Sequence, residues 1–178
     1  MKIFTYNTVV RQSIEQLLDE VARRGSWFGG GSVAALSTAL AAALLEKLSV
    51  AQATVIRLRG IRCECLRLVE QDARTFASVI AATRTRRQAT FRSRLKAAID
   101  VPCRIVERAQ TIQRLAREQA GRIKPQFRSD LQCVSALATS AETAARALIN
   151  TNLAWLNDPR YRLAIHRRLG SHARPRGR

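Results

Sequence analysis

Apolar residues along the chain recur with the period of an α-helix, and the alternation of period two that a half-buried strand would show is nearly absent. The first apolar stripe precedes Gly25 and consists of Val10, Ile14, Leu17, Leu18 and Val21. A second stretch begins at Ser32 and carries a face of small residues, Ala34, Ala35, Ala39, Ala41, Ala42 and Ala43. Because small side chains let neighbouring helices approach closely, we expect this second helix to be the central one. The pattern predicts an all-α fold.

Three more helical segments follow. Gly60 indicates a break before a third helix, whose stripe is Leu66, Val69, Ala73, Phe76 and Ile80. After a basic connection over residues 84–94, a fourth stripe contains Pro102, which should kink the helix or begin its second half. Ser129, with Gln132 three residues later, predicts a capping box at the start of the last long helix, which should end near Asn157.

The expected architecture is a bundle of about five long helices with a short C-terminal helix. We expect one helical domain over residues 1–158 and a basic tail over residues 159–178, with the short helix over 161–169. The apolar run over residues 33–45 is shorter than the ~20 residues of a membrane span, so it predicts a buried core helix. The N-terminus lacks the long apolar region of a signal peptide, which predicts a cytoplasmic protein.

The charge balance favours an anionic partner. The chain has 31 Lys and Arg residues against 13 Asp and Glu, which gives a formal net charge of +18. Nearly all the basic residues are arginines, whose guanidinium groups match carboxylates such as those of a polyglutamate tail. Nucleic acid is an alternative partner, but only 5% of the residues are aromatic and no recognition helix or stacking surface stands out.

The cysteines and histidines do not show the spacing of a metal site. The cysteines are Cys63, Cys65, Cys103 and Cys133. Two residues apart on a helix, the first two point about 200° away from each other and so do not share one metal ion. The two histidines, His166 and His172, both lie late in the chain. We therefore expect free buried thiols, with no metal and no disulfide.

The segment Gly29, Gly30, Gly31 and Ser32 is the strongest local signal for a binding site. Glycine lets a ligand approach the backbone closely, and a helix that begins at Ser32 would offer free N–H groups to an anion or a polar heterocycle. Neither a phosphate-binding P-loop nor a dinucleotide fingerprint fits this spacing. The alternative is a tight turn between two packed helices.

Among the few polar residues inside helical patterns, Asp72, Asp130 and Asn152 are the candidates for chemistry. Asp72 lies near an apolar helix face, and its alternative role is an ion pair with an arginine such as Arg74. Asp130 lies in a first helical turn, where the helix dipole alone favours a carboxylate. In one unbroken helix Asp130 and Asn152 are roughly 33 Å apart, so they line one pocket only if a dimer brings opposite helix ends together.

Five segments together resemble the cyclodeaminase domain of the formiminotransferase-cyclodeaminase family, which includes stand-alone methenyltetrahydrofolate cyclohydrolases. They are the segments 29–36 (GGGSVAAL), 71–76 (QDARTF), 98–102 (AIDVP), 129–130 (SD) and 149–158 (INTNLAWLND). The resemblance implies an all-helical domain that forms a homodimer and takes a tetrahydrofolate derivative as its substrate. In addition to this resemblance, we expect Asp72 and Asp130 to transfer protons, and the glycine segment and Asn152 to bind the substrate.

The chain departs from the family's usual pattern at three places. Phe28 precedes the glycines where proline is usual, residues 50–54 (VAQAT) replace a lysine-rich stretch, and Leu148 replaces the first of two asparagines four residues apart. Two functional hypotheses therefore stand. One is an enzyme, either a cyclohydrolase or a cyclodeaminase, and the other is a relative that has lost catalysis and binds folate or nucleic acid.

Overall fold

The computed structural model describes residues 13–84 and 87–173, with side chains described up to residue 170. Its six helices are α1 (Ile14–Ala22), α2 (Gly30–Leu48), α3 (Gln52–Thr83), α4 (Gln88–Gln119), α5 (Arg128–Leu156) and α6 (Pro159–Ala173). A short 3-10 helix, Pro125–Phe127, precedes α5, and the described residues contain no strand. The predicted all-α architecture is confirmed, with α2 to α5 as its long helices. Val10, from the first predicted stripe, lies outside the described residues.

Helix α2 is the centre of the bundle, as its alanine-rich face predicts. It packs against α3, α4 and α5, and its buried residues include Ala34, Ala35, Ala41 and Ala42. Helix α5 runs antiparallel to it, since Gly30 faces Leu148 and the Ser37 hydroxyl donates to the carbonyl of Leu137 at 3.2 Å. By length and hydropathy α2 could also cross a membrane, but half of its apolar window is buried inside this protein.

Two hydrophobic clusters lie at the two ends of α2. The first surrounds Ala34 and Ala35 and reaches α6, and the second surrounds Leu45 and Leu48 and reaches the start of α5. We call the end at Gly30 the glycine end and the end at Leu48 the far end. Because α2 runs unbroken between the two clusters, each candidate site is described by the end of α2 at which it lies.

Helix boundaries differ from the expected ones at two places between α2 and α4. The chain leaves the helix at Ser49 and α3 begins at Gln52, so α3 runs through Gly60 without the predicted break. A single glycine inside a helix costs about 1 kcal/mol, which the packing of a 32-residue helix outweighs. Helix α4 begins at Gln88, so most of the predicted basic connection is helical.

Pro102 lies inside α4 and does not begin a new helix, because α4 continues from Gln88 to Gln119. Proline has no N–H group, so the carbonyl four residues earlier, on Ala98, loses its helical donor. The side-chain amide of Asn152 on α5 donates to this carbonyl at 3.3 Å. Asn152 therefore supplies the hydrogen bond that Pro102 removes and ties α5 to α4 at this level.

The predicted helix caps were also in part wrong. Helix α5 begins after Phe127 without a side-chain cap, so Ser129 does not form the predicted capping box and lies in the first turn. A capping box does occur in α1, between Ser13 and Gln16, with both hydrogen bonds at 3.1 Å. The end of α5 is confirmed, because Asn157 follows it in the left-handed conformation with φ of 49°.

Helix α6 is longer than expected and packs on the bundle, so the helical fold continues past residue 158. Its Ile165 and Leu169 are buried in the first hydrophobic cluster. Its Arg168 donates to Asp100 at 2.6 Å and pairs with Glu107, both on α4. Residues 174–178 of the predicted tail lie outside the described residues.

Several arginines join helices to one another. Glu64 on α3 accepts hydrogen bonds from Arg104 and Arg108 on α4, at 2.8 and 2.7 Å. Burial would raise the pKa of Glu64, but these two guanidinium groups outweigh it and hold the pKa below its ordinary value. Part of the large positive charge is therefore used inside the fold, which weakens its value as a sign of nucleic-acid binding.

The cysteines are buried in two cases and exposed in two. Cys65 and Cys103 are buried, and burial raises the pKa of each thiol to about 12. Cys63 and Cys133 are exposed, so the expectation of four buried thiols was wrong for these two. Cys63 and Cys65 do point apart on α3, as their spacing predicts.

Candidate active site

The carboxylate of Asp72 lies at the glycine end, against the first turn of α2. The Ser32 hydroxyl lies 3.0 Å from the Asp72 carboxylate and 3.0 Å from the carbonyl of Val69, so its single proton serves one acceptor at a time. The backbone N–H of Ser32 also donates to Asp72. The alternative role for Asp72 was an ion pair with Arg74. The structure does not show this pair, and Arg74 pairs with Glu70 at 3.1 Å instead.

Gly31 is the glycine on which this contact depends. A Cβ atom built on Gly31 would lie 2.1 Å from Oδ1, 2.4 Å from Cγ and 2.7 Å from Oδ2 of Asp72. These distances are far below van der Waals contact. A Cβ on Gly30 would meet Leu148 at 3.8 Å, an ordinary contact, and one on Gly29 would meet nothing within 4 Å. Of the three glycines, Gly31 is required by the packing.

The sequence predicts that Ser32 caps α2, but in the structure Ser32 is not the cap. The helix begins at Gly30, with Gly29 as its N-cap and no side-chain hydrogen bond at the cap. Ser32 is the third residue of the helix, where its hydroxyl turns inward to α3 and is buried. The role of cap falls in part to Asp72, whose carboxylate approaches the positive end of the helix dipole.

Burial shifts the proton affinity of Asp72. Removal from water raises the pKa of this carboxyl above its ordinary value, and the hydroxyl and N–H of Ser32 offset only part of that rise. A carboxyl with a raised pKa accepts and releases a proton closer to neutral pH than an exposed aspartate does. Such a group suits general acid or base chemistry.

An exposed aromatic pair, which local sequence pattern does not reveal, borders Asp72. Phe76 follows Asp72 by one turn of α3, so the two side chains share a face. Trp27, in the segment before α2, packs edge-on against Phe76 with ring centroids 6.2 Å apart. The two side chains are 44% and 43% exposed, so they offer apolar ring surface beside the carboxylate. Their separation of 49 positions along the chain hid the pairing.

The structure does not bring the other predicted site residues together at this point. Helix α5 is unbroken, so Asp130 in its first turn lies roughly 27 Å from Leu148, the residue that faces Gly30. Asp130 is thus at the far end, and Asp72 is at the glycine end. Asn152 lies beyond Leu148 toward the glycine end, but its amide nitrogen is bound to the Ala98 carbonyl.

No group of three or more His, Cys, Asp or Glu side chains within residues 13–84 and 87–170 has the arrangement of a metal site. The groups that hydrogen-bond one another around Asp72 are instead a carboxylate, the Ser32 hydroxyl and the Ser32 backbone N–H. These groups can exchange a proton with a bound molecule and can hydrogen-bond a polar heterocycle.

Comparison with known proteins agrees with this fold. No curated protein matches the sequence. The crystal structure of formiminotetrahydrofolate cyclodeaminase from Thermotoga maritima superposes with a TM-score of 0.86 at 21% sequence identity. The match covers 92% of this chain and 89% of the other. The similarity shows that the two proteins share a fold.

The family assignment rests on a separate sequence comparison. The model of the family described as formiminotransferase-cyclodeaminase matches residues 13–171, which include the glycine segment, Asp72, Asp130 and Asn152. This range covers all six helices almost to the end of α6. The chain therefore belongs to the formiminotransferase-cyclodeaminase family.

Proposed function

We propose that this protein is an enzyme of folate one-carbon metabolism. Its substrate is either 5,10-methenyltetrahydrofolate, hydrolysed to 10-formyltetrahydrofolate, or 5-formiminotetrahydrofolate, cyclised with release of ammonia. The observation that carries the proposal is the half-buried Asp72 carboxylate, held by Ser32 at the first turn of α2 with a raised pKa. Membership of the family supports the substrate class.

The chemistry needs a group like Asp72. A methenyl bridge between two folate nitrogens is a cationic amidinium, and its hydrolysis needs a base for the attacking water and an acid for the departing nitrogen. A carboxylate beside the bridge stabilises the cation and takes the proton from the water. Cyclodeamination also needs an acid and a base, because a ring nitrogen attacks the formimino carbon and ammonia leaves. One pocket could serve both reactions.

The surroundings of Asp72 suit a folate. Trp27 and Phe76 offer ring surface against which a pterin stacks, and the first turn of α2 offers N–H groups. Gly29 and Gly30 leave the backbone open to a ligand, since neither is closely packed. In this proposal Gly31 positions Asp72 and does not itself contact the substrate.

We further propose a homodimer as the working unit. Asp72 and Asp130 lie at opposite ends of α2, so they act on one substrate only if a two-fold axis sets the glycine end beside the partner's far end. Helix α2 presents the exposed apolar residues Val33 and Leu40, and α1 presents Ile14 and Leu18. Neither α1 nor α2 contains an arginine, so two chains of +18 charge could meet there and cover these apolar side chains.

The alternative function is a family member that binds folate without turnover. Two observations favour it. Leu148, in place of an asparagine of the family pattern, packs beside Gly30, and one N–H of the Asn152 amide is bound to the Ala98 carbonyl. Polar groups for the reaction are therefore fewer than the family pattern implies.

Turnover tests the proposal directly. We expect the protein to hydrolyse 5,10-methenyltetrahydrofolate, measured by loss of its absorbance in a buffer of slow background hydrolysis, or to release ammonia from 5-formiminotetrahydrofolate. Asp72→Asn keeps the size of the side chain and should lower kcat by about 100-fold or more. Asp19→Asn, the same change at an exposed position of α1, is the matched control and should leave kcat unchanged.

The outcomes separate the two functions. Turnover that Asp72→Asn leaves intact would contradict the role of Asp72. No turnover of either substrate, with saturable folate binding, would establish the non-catalytic alternative. A protein that neither turns over nor binds either folate would overturn the folate assignment altogether.

A further inference from the structure

The far end of the bundle contains a cavity of about 410 Å³ that the proposed folate chemistry does not use. Its lining residues come from the end of α2, the start of α3 and the turn after α4, and they are Leu48, Val50, Ala51, Thr54, Gln119, Arg122 and Ile123. Leu48 lies roughly 25 Å along α2 from Gly31, at about 1.5 Å per residue. Within one chain, the far-end cavity is therefore separate from the site around Asp72.

Gln119, the last residue of α4, leaves a buried donor at this cavity. Its residue exposure is 9%, and its side-chain nitrogen Nε2 is buried with no hydrogen-bond partner within the described chain. Burying an amide N–H group without an acceptor is unfavourable, so the arrangement favours a ligand that brings an acceptor.

Two further features of the lining favour a negatively charged acceptor. Helix α3 begins beside the cavity at Ala51 and Thr54, with no side-chain cap and no acidic residue in its first turn. The N–H groups of that turn carry the positive end of the helix dipole. The guanidinium of Arg122 adds a full positive charge. Amide, helix terminus and guanidinium are all donors.

The remainder of the lining is aliphatic. Leu48 and Ile123 are buried, and Val50 is 89% exposed beside the cavity. A hydrated inorganic ion would leave this apolar surface uncovered, whereas an alkyl chain would cover it. We propose that the far-end cavity binds an organic monocarboxylate with a short aliphatic body, the carboxylate toward Gln119 and Arg122 and the alkyl chain against Val50.

Titration with octanoate tests this site in the intact protein. The side-chain amide signals of Gln119 in a ¹H–¹⁵N NMR spectrum, assigned by their loss in Gln119→Leu, should shift and saturate. Inorganic phosphate, which lacks the alkyl chain, and octanol, which lacks the carboxylate, should each produce a much smaller shift. A Gln119 signal that octanoate leaves unmoved would overturn the proposal, and so would an equal response to phosphate.

Matched variants test which groups hold the carboxylate. A hydrogen bond to a charged group contributes enough that Gln119→Leu should weaken octanoate binding about tenfold or more, measured by calorimetry. Arg122→Ala should also weaken it, whereas Arg117→Ala, which removes an exposed arginine that does not line the cavity, should not. Equal weakening by the two arginine variants would mean attraction by net charge alone and would contradict the site. Thermal unfolding shows whether each variant is folded.

Discussion

The two ends of α2 differ in how far their polar groups are hydrogen-bonded within the protein. At the glycine end, Ser32 and Asp72 are within hydrogen-bond distance of each other, and Gly31 is packed so closely that no Cβ fits. At the far end, the side-chain nitrogen Nε2 of Gln119 has no partner among the described residues, and a cavity of about 410 Å³ lies beside Gln119. At one end the polar groups are paired with each other, and at the other a single buried donor, Nε2 of Gln119, has no partner among the described residues.

This difference teaches how each end relates to a ligand. The glycine end supplies its own anion, Asp72, to the positive terminus of α2, so a ligand there meets a carboxylate that can exchange protons. At the far end, the Gln119 side chain, the first turn of α3 and Arg122 supply donors beside the cavity, so a ligand there brings the acceptor. Chemistry is expected at the first end and binding at the second.

Adding a methyl group at Gly31 should break the glycine end most strongly. In Gly31→Ala the Asp72 side chain has to move, because the new Cβ would lie 2.1 Å from its Oδ1. Overpacking of this kind costs about 1–3 kcal/mol in the free energy of unfolding, which the midpoint of urea unfolding measures. Turnover, where present, should fall with it, since Asp72 leaves its place.

Gly30→Ala is the matched control, because its Cβ would meet Leu148 at an ordinary 3.8 Å. It should leave the unfolding free energy unchanged or slightly raised. The double variant Gly31→Ala with Asp72→Ala should recover stability without activity, since the three atoms nearest to the new Cβ all belong to Asp72. A Gly31→Ala protein as stable as Gly30→Ala would contradict the close packing.

The sequence predicted the glycine segment but not the way it works. Three glycines before an alanine-rich helix indicated a site, and the helical period places Gly31 on the same face as the buried Ala34, Ala35 and Thr38. That face already marks Gly31 as the packed glycine. Its partner Asp72 is 41 residues away, and local pattern alone does not show which carboxylate of α3 meets which turn of α2.

Asn152 shows a signal that was present and was not used. A proline in mid-helix leaves one carbonyl without a donor, so Pro102 predicts that some side chain must reach Ala98. Asn152 is that side chain, and its family position suggested substrate binding instead.

Gly60 predicted a helix break because helix propensity is a local property. The burial of Leu58 and Ile61 beside it holds α3 together as one helix.

The variant Asp72→Asn should separate the effect of the carboxylate on protein stability from its effect on activity. Because burial raises its pKa in the folded protein, the native contribution of the carboxyl is fully present below its ordinary pKa of 3.8 and is lost as pH rises through the raised value. Asp72→Asn should therefore become more stable than the wild type as pH rises, by less than the Gly31→Ala effect. Urea unfolding over roughly pH 4 to 8 measures this difference.

Asp19→Asn removes one negative charge from the surface of the same chain of net charge +18 and is the control for that effect alone. A stability gap between Asp72→Asn and the wild type that does not change with pH, or that closes as pH rises, would contradict a raised pKa at Asp72. The loss of activity in the same variant, together with a gain in stability, would mark a group kept for chemistry.

The smallest effect is expected at the far end, where Gln119→Leu replaces an unpartnered amide by an apolar side chain of similar size. Without ligand, this variant should be more stable than the wild type by up to about 1 kcal/mol, because a buried donor without an acceptor is removed. With saturating octanoate the order should reverse, since only the wild type gains binding free energy. A Gln119→Leu protein that is less stable than the wild type without ligand would mean that the amide is satisfied inside the fold. The contrast between the two ends of α2 would then be lost.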